Sequence, residues 1–278
     1  MRTFFVSLLL VSVFLVSRAQ NNLYLYNNQN PFLLSPALTV SDSILHLTFS
    51  NQIRTSESGN IPNTSILGFS TPVSFLHGGV GLIVSDTRYD QFNLSYIKVS
   101  GIYSFRKRIN NNFSFAAAIM PGLFVTHYSN LTTDRDRKNT YEPDFSFSAA
   151  VKWKKLTSGV NVYNLFTLNN TPTQYKVFTA WNLAPVNGFG DNKLHFSPML
   201  SMVRFGSDWN AMASLDLHYK YFQFGADILS NDYLNNIETY YLHAGISLGN
   251  LNLNYRFCPD YYKSTLHEFG LSYRFGTK

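Results

Sequence analysis

Several features that define other protein classes are scarce or absent in this chain. Cys258 is the only cysteine among 278 residues, so no internal disulfide can form. Charged residues make up 14% of the sequence, and the formal net charge of +6 is modest and scattered, so the charge does not suggest a nucleic-acid partner. After Ala19, no apolar run reaches the roughly 20 residues that a membrane-spanning helix needs.

Enzyme signals are equally weak. The seven histidines are dispersed, and none stands in a His-Glu-x-x-His motif or a short Cys/His cluster. The pairs His195 with Ser197 and His243 with Ser247 would each share one face of a strand, but residues this common form such pairs by chance. We predict that the chain is not an enzyme, with no catalytic residues, no metal site and no cofactor.

The N-terminus is typical of an exported protein. Arg2 supplies a positive charge, residues 4–16 are apolar, and Ser17 and Ala19 are small residues at the positions that a signal peptidase reads. We predict a signal peptide over residues 1–19 that is cleaved after Ala19. The alternative is an anchored helix, but the apolar run is shorter than a span needs.

The last stretch, residues 266–275, alternates between two kinds of side chain. One face of an extended strand would be mostly apolar and suited to lipid, and the other would suit water. The first face carries His267, Phe269, Leu271, Tyr273 and Phe275, and the second carries Leu266, Glu268, Gly270, Ser272 and Arg274.

This stretch also matches the assembly signal that bacterial outer-membrane barrels carry in their final strand. The pattern is polar, x, Gly, x, x, aromatic, x, aromatic, supplied here by Glu268, Gly270, Tyr273 and Phe275. It predicts a closed transmembrane β-barrel in the outer membrane.

The same alternation recurs along the chain, for example over residues 144–154, 211–220, 221–228 and 251–258. Such segments and their turn residues predict an all-β, antiparallel up-and-down transmembrane barrel of about 14 strands over residues 44–278. Residues 20–43, rich in Asn and Pro, would form an extended N-terminal segment that could plug the lumen. We expect a bulge near Ser100 and Gly101, and an interruption at Pro121.

The connections provide an independent check, since barrels pair short periplasmic turns with longer outside loops. We number the connections between predicted strands in chain order. Even-numbered connections are mostly tight, as near Lys220 and Gly249, and odd-numbered ones are mostly longer, as over residues 129–143. The exception is the long segment 185–192 on the predicted periplasmic side, which either has a function or indicates a strand-counting error.

Two sets of charged residues are candidate functional sites. A lumenal charge network would converge from the C-terminal strands, where it would either fill the barrel with salt bridges or line a path for a solute or partner. A candidate partner loop could bind a protein or lipopolysaccharide phosphates, although a solvated loop is the simpler interpretation. The network comprises Asp216, His218, Lys220, Asp227, Arg256, Glu268 and Arg274, and the loop comprises Asp134, Arg135, Asp136, Arg137 and Lys138.

In an ordered series of short stretches, the chain resembles the PorP/SprF proteins of the Bacteroidota type IX secretion system. Departures at Ser35, Leu38 and residues 86–88 indicate a divergent paralogue. The matching stretches are Tyr24-Leu25-Tyr26-Asn27, Asn30-Pro31, Ser35-Pro36-Ala37-Leu38, Asn51-Gln52-Ile53-Arg54, Pro62-Asn63-Thr64, residues 69–73, residues 79–86, His267-Glu268 and Leu271-Ser272-Tyr273.

The resemblance implies a non-enzymatic outer-membrane barrel. Its expected partners are outer-membrane lipid, the barrel assembly machinery, and either type IX secretion components or the C-terminal domain of a secreted adhesin held at the cell surface. The alternative that the residues leave open is a passive outer-membrane channel or small-solute transporter.

Overall fold

The structure is a computed structural model, and it describes most of the chain from residue 31 onward. The predicted signal peptide, most of residues 20–43 and Asp134 to Arg137 of the candidate partner loop lie outside the described residues. Those described are 31–39, 45–56, 63–73, 77–89, 94–128, 138–165, 173–183, 192–205, 208–231, 238–259 and 264–275.

Two short helical turns precede fourteen strands. The turns are α1 (Pro31–Leu34) and the 3-10 turn η1 (Pro36–Leu38). The strands are β1 (Leu45–Ser56), β2 (Asn63–Val73), β3 (Gly78–Tyr89), β4 (Leu94–Asn110), β5 (Phe113–Tyr128), β6 (Lys138–Trp153), β7 (Leu156–Tyr163), β8 (Gln174–Trp181), β9 (Leu194–Phe205), β10 (Asp208–Tyr219), β11 (Phe222–Asn231), β12 (Glu238–Leu248), β13 (Leu251–Cys258) and β14 (Ser264–Phe275).

Each strand pairs antiparallel with its neighbours in the sequence, and the last strand closes the sheet on the first. The β1–β14 ladder is continuous from Leu45 opposite Phe275 to Ser56 opposite Ser264. Closure matters because hydrocarbon offers backbone N–H and C=O groups no partner, so an open sheet edge is not tolerated there. The predicted fourteen-strand antiparallel barrel is confirmed.

Burial alternates along the strands as the sequence pattern predicts. In β10, Met212, Ser214 and Asp216 are buried, whereas Leu215 and Tyr219 are exposed. Large apolar side chains cover the outside of the barrel, and most of the exposed Tyr and Trp side chains lie near the strand ends, where barrels carry aromatic girdles. The exposed aromatics include Tyr141, Tyr175 and Tyr240 near one end and Trp153, Trp181, Tyr219 and Phe222 near the other.

The two ends of the barrel differ in their connections. The turn end, which also holds the start of β1 and the end of β14, has tight hairpins such as Lys154–Lys155 and Lys220–Tyr221. The Gly249–Asn250 hairpin there has a positive φ of 61° at Gly249, a conformation that glycine adopts without strain. The loop end carries the remaining connections, which are mostly longer. The long connection between β8 and β9 lies at the turn end, so it is not a counting error.

One local prediction about the strands is wrong, and another, the interruption at Pro121, is confirmed on the β4 side of β5. The expected bulge near Ser100 and Gly101 is absent from the described β3–β4 and β4–β5 ladders, and the register shift lies at Arg108/Asn110. The β4–β5 pairing stops after Ser100 and resumes in the same register at Tyr103. That gap faces Pro121, which has no N–H to donate to the ladder.

The start of β6 also differs from the prediction. It begins at Lys138, six residues before the predicted start at Asp144, because Pro143 is accommodated in the strand with an exposed side chain. The predicted loop over residues 129–143 is therefore partly strand. Lys138, the last residue of the candidate partner loop, begins β6. Among the described residues, no helix is long and apolar enough to cross a membrane.

The outward face of β9 provides a test of lipid exposure. Leu200 lies midway along the strand and Leu194 lies at its turn end, both exposed on the same face. We expect Leu200→Arg to lower the free energy of unfolding by about 2–4 kcal/mol, and Leu194→Arg by about 0–1 kcal/mol, because the cost of a lipid-facing charge falls from midplane to interface. Urea unfolding in lipid vesicles measures both. Equal losses would show that Leu200 does not face hydrocarbon.

Candidate functional site in the barrel lumen

The largest group of lumenal charges lies along one row of the sheet. The register places Asp216 opposite Gly225, Gly225 opposite His243, His243 opposite Arg256, and Arg256 opposite Glu268. The row therefore crosses β10 to β14 without a break, and Glu268 continues it to Gln52 on β1. Together with Asp227, the ionisable members Asp216, His243, Arg256 and Glu268 form what we call the seam cluster.

The side chains of the seam cluster contact one another in sequence. His243 Nε2 lies 2.5 Å from Asp216 Oδ1, and His243 Nδ1 lies 3.5 Å from Asp227 Oδ2. Arg256 lies 3.1 Å from Asp227 Oδ2 through Nη2 and 3.4 Å from Glu268 Oε2 through Nη1. All five side chains are buried. Burial makes an unpaired charge costly, so each member depends on its neighbours.

Neutral groups extend the seam cluster at both ends. Gln223 Nε2 donates to Asp216 Oδ1 at 3.0 Å, and Ser50 Oγ donates to Glu268 Oε1 at 2.9 Å across the barrel closure. The Arg256 guanidinium lies over the Tyr241 ring, with its carbon 5.9 Å from the ring centroid. The cluster thus links six neighbouring strands, including the first and the last.

Gly225 makes the contact between His243 and Asp216 possible. The glycine lies between these two residues in the row, and a Cβ built on it would overlap His243 Nε2 and lie 2.6 Å from the Leu215 carbonyl oxygen. The imidazole therefore occupies the space that any larger residue at position 225 would fill.

The predicted charge network is brought together only in part. Asp216, Asp227, Arg256 and Glu268 meet in the seam cluster, and the structure adds His243 to them. Lys220 instead lies exposed in the β10–β11 turn, with its ammonium 5.8 Å from the Tyr221 ring centroid. His218 is buried opposite His195, and Arg274 is half-buried near the turn end of β14.

A second group of buried polar residues, here the loop-side cluster, was not predicted. Lys98 Nζ lies 2.5 Å from Asp144 Oδ2 and donates to Asn164 Oδ1 at 2.9 Å. Ser146 Oγ donates to Asp144 Oδ2 at 3.4 Å and accepts from the Asn164 backbone N–H at 3.3 Å. A signal existed in the sequence, because Lys98 shares its strand face with Ser100 and Ser104.

The lumen is also occupied by residues 31–39, here the lumenal segment. Asn161 on β7 binds it twice, accepting from Ser35 Oγ at 2.7 Å and donating to the Leu34 carbonyl at 3.0 Å. Ser104 Oγ on β4 donates to the Ala37 carbonyl at 3.3 Å. These bonds hold the segment against the lumenal side of the wall.

The lumenal segment joins two apolar clusters of the inner wall. Leu34 is fully buried in a cluster with residues of β8 to β14, including Phe178, Met212 and Tyr241. Leu33 and Ala37 belong to a second cluster with residues of β2 to β7, and Leu38 packs against both. Part of the inner wall is thus apolar and covered by the lumenal segment, although most of the buried strand residues are polar.

The geometry offers no support for the two His/Ser pairs as catalytic groups. Ser197 Oγ donates to the Asn182 carbonyl at 2.8 Å, and the ring nitrogens of His243 face carboxylates. Residues 245–249 spell Gly-Ile-Ser-Leu-Gly, which matches a nucleophile-elbow pattern, but Ser247 lies in β12 before a hairpin. The elbow requires a strand-to-helix turn. Within the described residues, no three His, Cys, Asp or Glu side chains are grouped to bind a metal.

The sequence matches the family described as type IX secretion system membrane protein PorP/SprF over residues 15–276. The chain belongs to the PorP/SprF family. Its family and its barrel fold place it in the outer membrane, and the predicted resemblance is confirmed. No curated protein matches this PorP/SprF chain.

Two solved structures are similar to this chain. The outer membrane protein Omp33 of Acinetobacter baumannii is similar with a TM-score of 0.51 and 10% identity, over 84% of this chain and 98% of Omp33. A mutant porin of Rh. blastica matches with a TM-score of 0.43 and 9% identity, over 83% and 99% of the two chains. At these identities, the likeness to Omp33 shows a shared outer-membrane barrel fold only.

The seam cluster predicts that Arg256 contributes far more to the free energy of unfolding than an exposed arginine does. We expect Arg256→Met to lower the free energy of unfolding by about 3–5 kcal/mol, because it leaves buried Asp227 and Glu268 without their shared cation. Arg88→Met is the matched control. Arg88 pairs with Asp86 at 2.7 Å, but its side chain is 67% exposed, so its loss costs about 0–1 kcal/mol. Urea unfolding in detergent micelles measures both, and similar values would contradict the assigned role of Arg256.

Proposed function

We propose that this PorP/SprF protein is a non-enzymatic binding component of type IX secretion whose barrel is filled rather than open. It would bind secretion-machinery components, hold a secreted adhesin at the cell surface, or do both. The observation that carries the proposal is the lumenal segment, which is hydrogen-bonded to β4 and β7 and packed against both apolar clusters.

A filled lumen favours binding over transport for a simple physical reason. A solute would have to displace Leu33, Leu34 and Ala37 from apolar contacts and also pass the seam cluster. A rigid, filled barrel instead holds its two ends in fixed positions, which lowers the entropy cost of binding a partner there.

The two ends suit different partners. In bacterial barrels, short turns face the periplasm and longer loops face outside. We infer that the loop end, with residues 129–137, would receive the C-terminal domain of a secreted adhesin. The turn end, with residues 184–191 between β8 and β9, would contact periplasmic secretion components. The barrel assembly machinery would recognise Glu268, Gly270, Tyr273 and Phe275 in β14 during insertion.

Conductance in a planar bilayer tests whether the barrel is closed. We expect no large, steady conductance from the wild-type protein. Leu34→Asp should produce one, because a carboxylate in an apolar cluster would expel the lumenal segment. Leu34→Met, which keeps volume and polarity, should stay closed. A steady wild-type conductance would instead favour the passive channel or small-solute transporter.

Co-purification tests the binding function itself. We expect the tagged protein, cross-linked in its native membrane, to recover type IX secretion components or a secreted adhesin. Replacing residues 130–136 with an equally long Gly/Ser segment should remove an outside partner, and the same replacement of residues 185–191 should remove a periplasmic one. Each variant serves as the control for the other. Recovery of neither class of partner by the wild-type protein would contradict the proposal.

A further inference from the structure

A cavity of about 230 Å³ lies at the turn end, between the β4–β5 and β6–β7 hairpins. Four cationic side chains line it: Arg106, Arg108, Lys152 and Lys154. The asparagine-rich β4–β5 turn forms another part of its wall. Neither the seam cluster nor the loop-side cluster contributes to this basic cavity.

The two hairpins that form the basic cavity carry no acidic residue of their own. Residues 105–118 and 149–161, which form the two hairpins, contain no Asp or Glu, and Lys107 and Lys155 add two more cations. Among the described residues, no carboxylate pairs with Arg108, Lys152 or Lys154. Like charges held this close repel one another, so the cavity favours an anion that offsets them.

The turn itself positions one of these cations. Arg108 donates from Nε to the Asn110 carbonyl at 3.4 Å and from Nη2 to Asn111 Oδ1 at 3.1 Å. The Asn112 backbone N–H in turn donates to Asn110 Oδ1 at 2.9 Å. A guanidinium that is already oriented loses less side-chain entropy when it binds an anion.

The direction of the cavity distinguishes between possible anions. Ser114 and Lys152, which pair across β5 and β6, lie on the same strand faces as the buried residues Ala116 and Ala150. Trp153 is exposed on the opposite face, toward lipid. The basic cavity therefore opens on the lumenal side of the wall, where a soluble segment has access and a lipid headgroup on the outer face does not.

We infer that the basic cavity binds a carboxylate-rich peptide segment of a periplasmic protein. Four cations spread over two hairpins fit several carboxylates along a chain better than one compact phosphate. The Asn side chains of the turn can also bond to the backbone of such a segment. This inference rests on the proposed function only in taking the partner to be a periplasmic protein.

A direct binding measurement tests the basic cavity. The full-length protein in nanodiscs of zwitterionic lipid is titrated against a fluorescein-labelled decaglutamate peptide, and fluorescence anisotropy is followed. We expect binding that weakens as salt rises, because exposed charge pairs are screened. Arg108→Gln with Lys152→Gln should weaken it about tenfold, at roughly 0.7 kcal/mol per removed cation.

The matched control removes the same charge from the same end. Lys193 and Lys220 lie on other connections. The double variant Lys193→Gln with Lys220→Gln should therefore change the affinity for the peptide less than about threefold. Equal weakening by both double variants would mean that only the overall positive potential attracts the peptide, and would overturn the inference. Absence of decaglutamate binding to the wild-type protein would overturn it as well.

Two competition measurements identify the kind of anion that binds in the basic cavity. Inorganic phosphate and nanodiscs containing phosphatidylglycerol are tested as competitors of the peptide. Strong competition from either, lost in the Arg108/Lys152 double variant, would assign the cavity to phosphate or to a lipid headgroup and overturn the inference. Peptide binding without recovery of secretion components from native membranes would contradict the proposed function but leave the cavity assignment intact.

Discussion

The structure depends on one constraint, the need of every backbone N–H and C=O in the hydrocarbon region for a partner within the protein. A sheet meets that need only when its last strand pairs with its first. In this PorP/SprF barrel, the β1–β14 ladder does so, and side chains reinforce it where Ser50 donates to Glu268 and Thr48 contacts Ser272. The closure extends the row of charges beyond β14, because it places Glu268 opposite Gln52 and within reach of Ser50.

Closure also creates an interior that must be filled or hydrated. Here the inner wall carries apolar residues such as Phe178 and Met212 beside the charged row, and the lumenal segment covers part of them. Burying these residues against the segment removes apolar surface from water, which stabilises the filled state. The basic cavity places a group of cationic side chains at the turn end, apart from the seam cluster.

Much of the fold could be predicted because its signals are local. Side chains alternate with a period of two, so residues such as Leu215 and Asp216 can be assigned to faces from the sequence alone. Turn residues fixed most strand ends. The prediction fails where a residue has two acceptable roles: Pro143 favours a loop in the sequence, but it is tolerated in β6 with its side chain exposed.

The sequence by itself determined the fold class, the strand number, the lipid-facing and lumen-facing residues, and the family resemblance. Only the tertiary structure decided which lumenal residues meet, as when His243 reaches Asp216 past Gly225, or Lys98 finds Asp144. The physical reason is that a strand's two faces follow from its own backbone geometry, whereas contacts between faces depend on register and closure across the whole barrel. The basic cavity likewise depends on the pairing of β5 with β6, which brings two successive turn-end hairpins side by side.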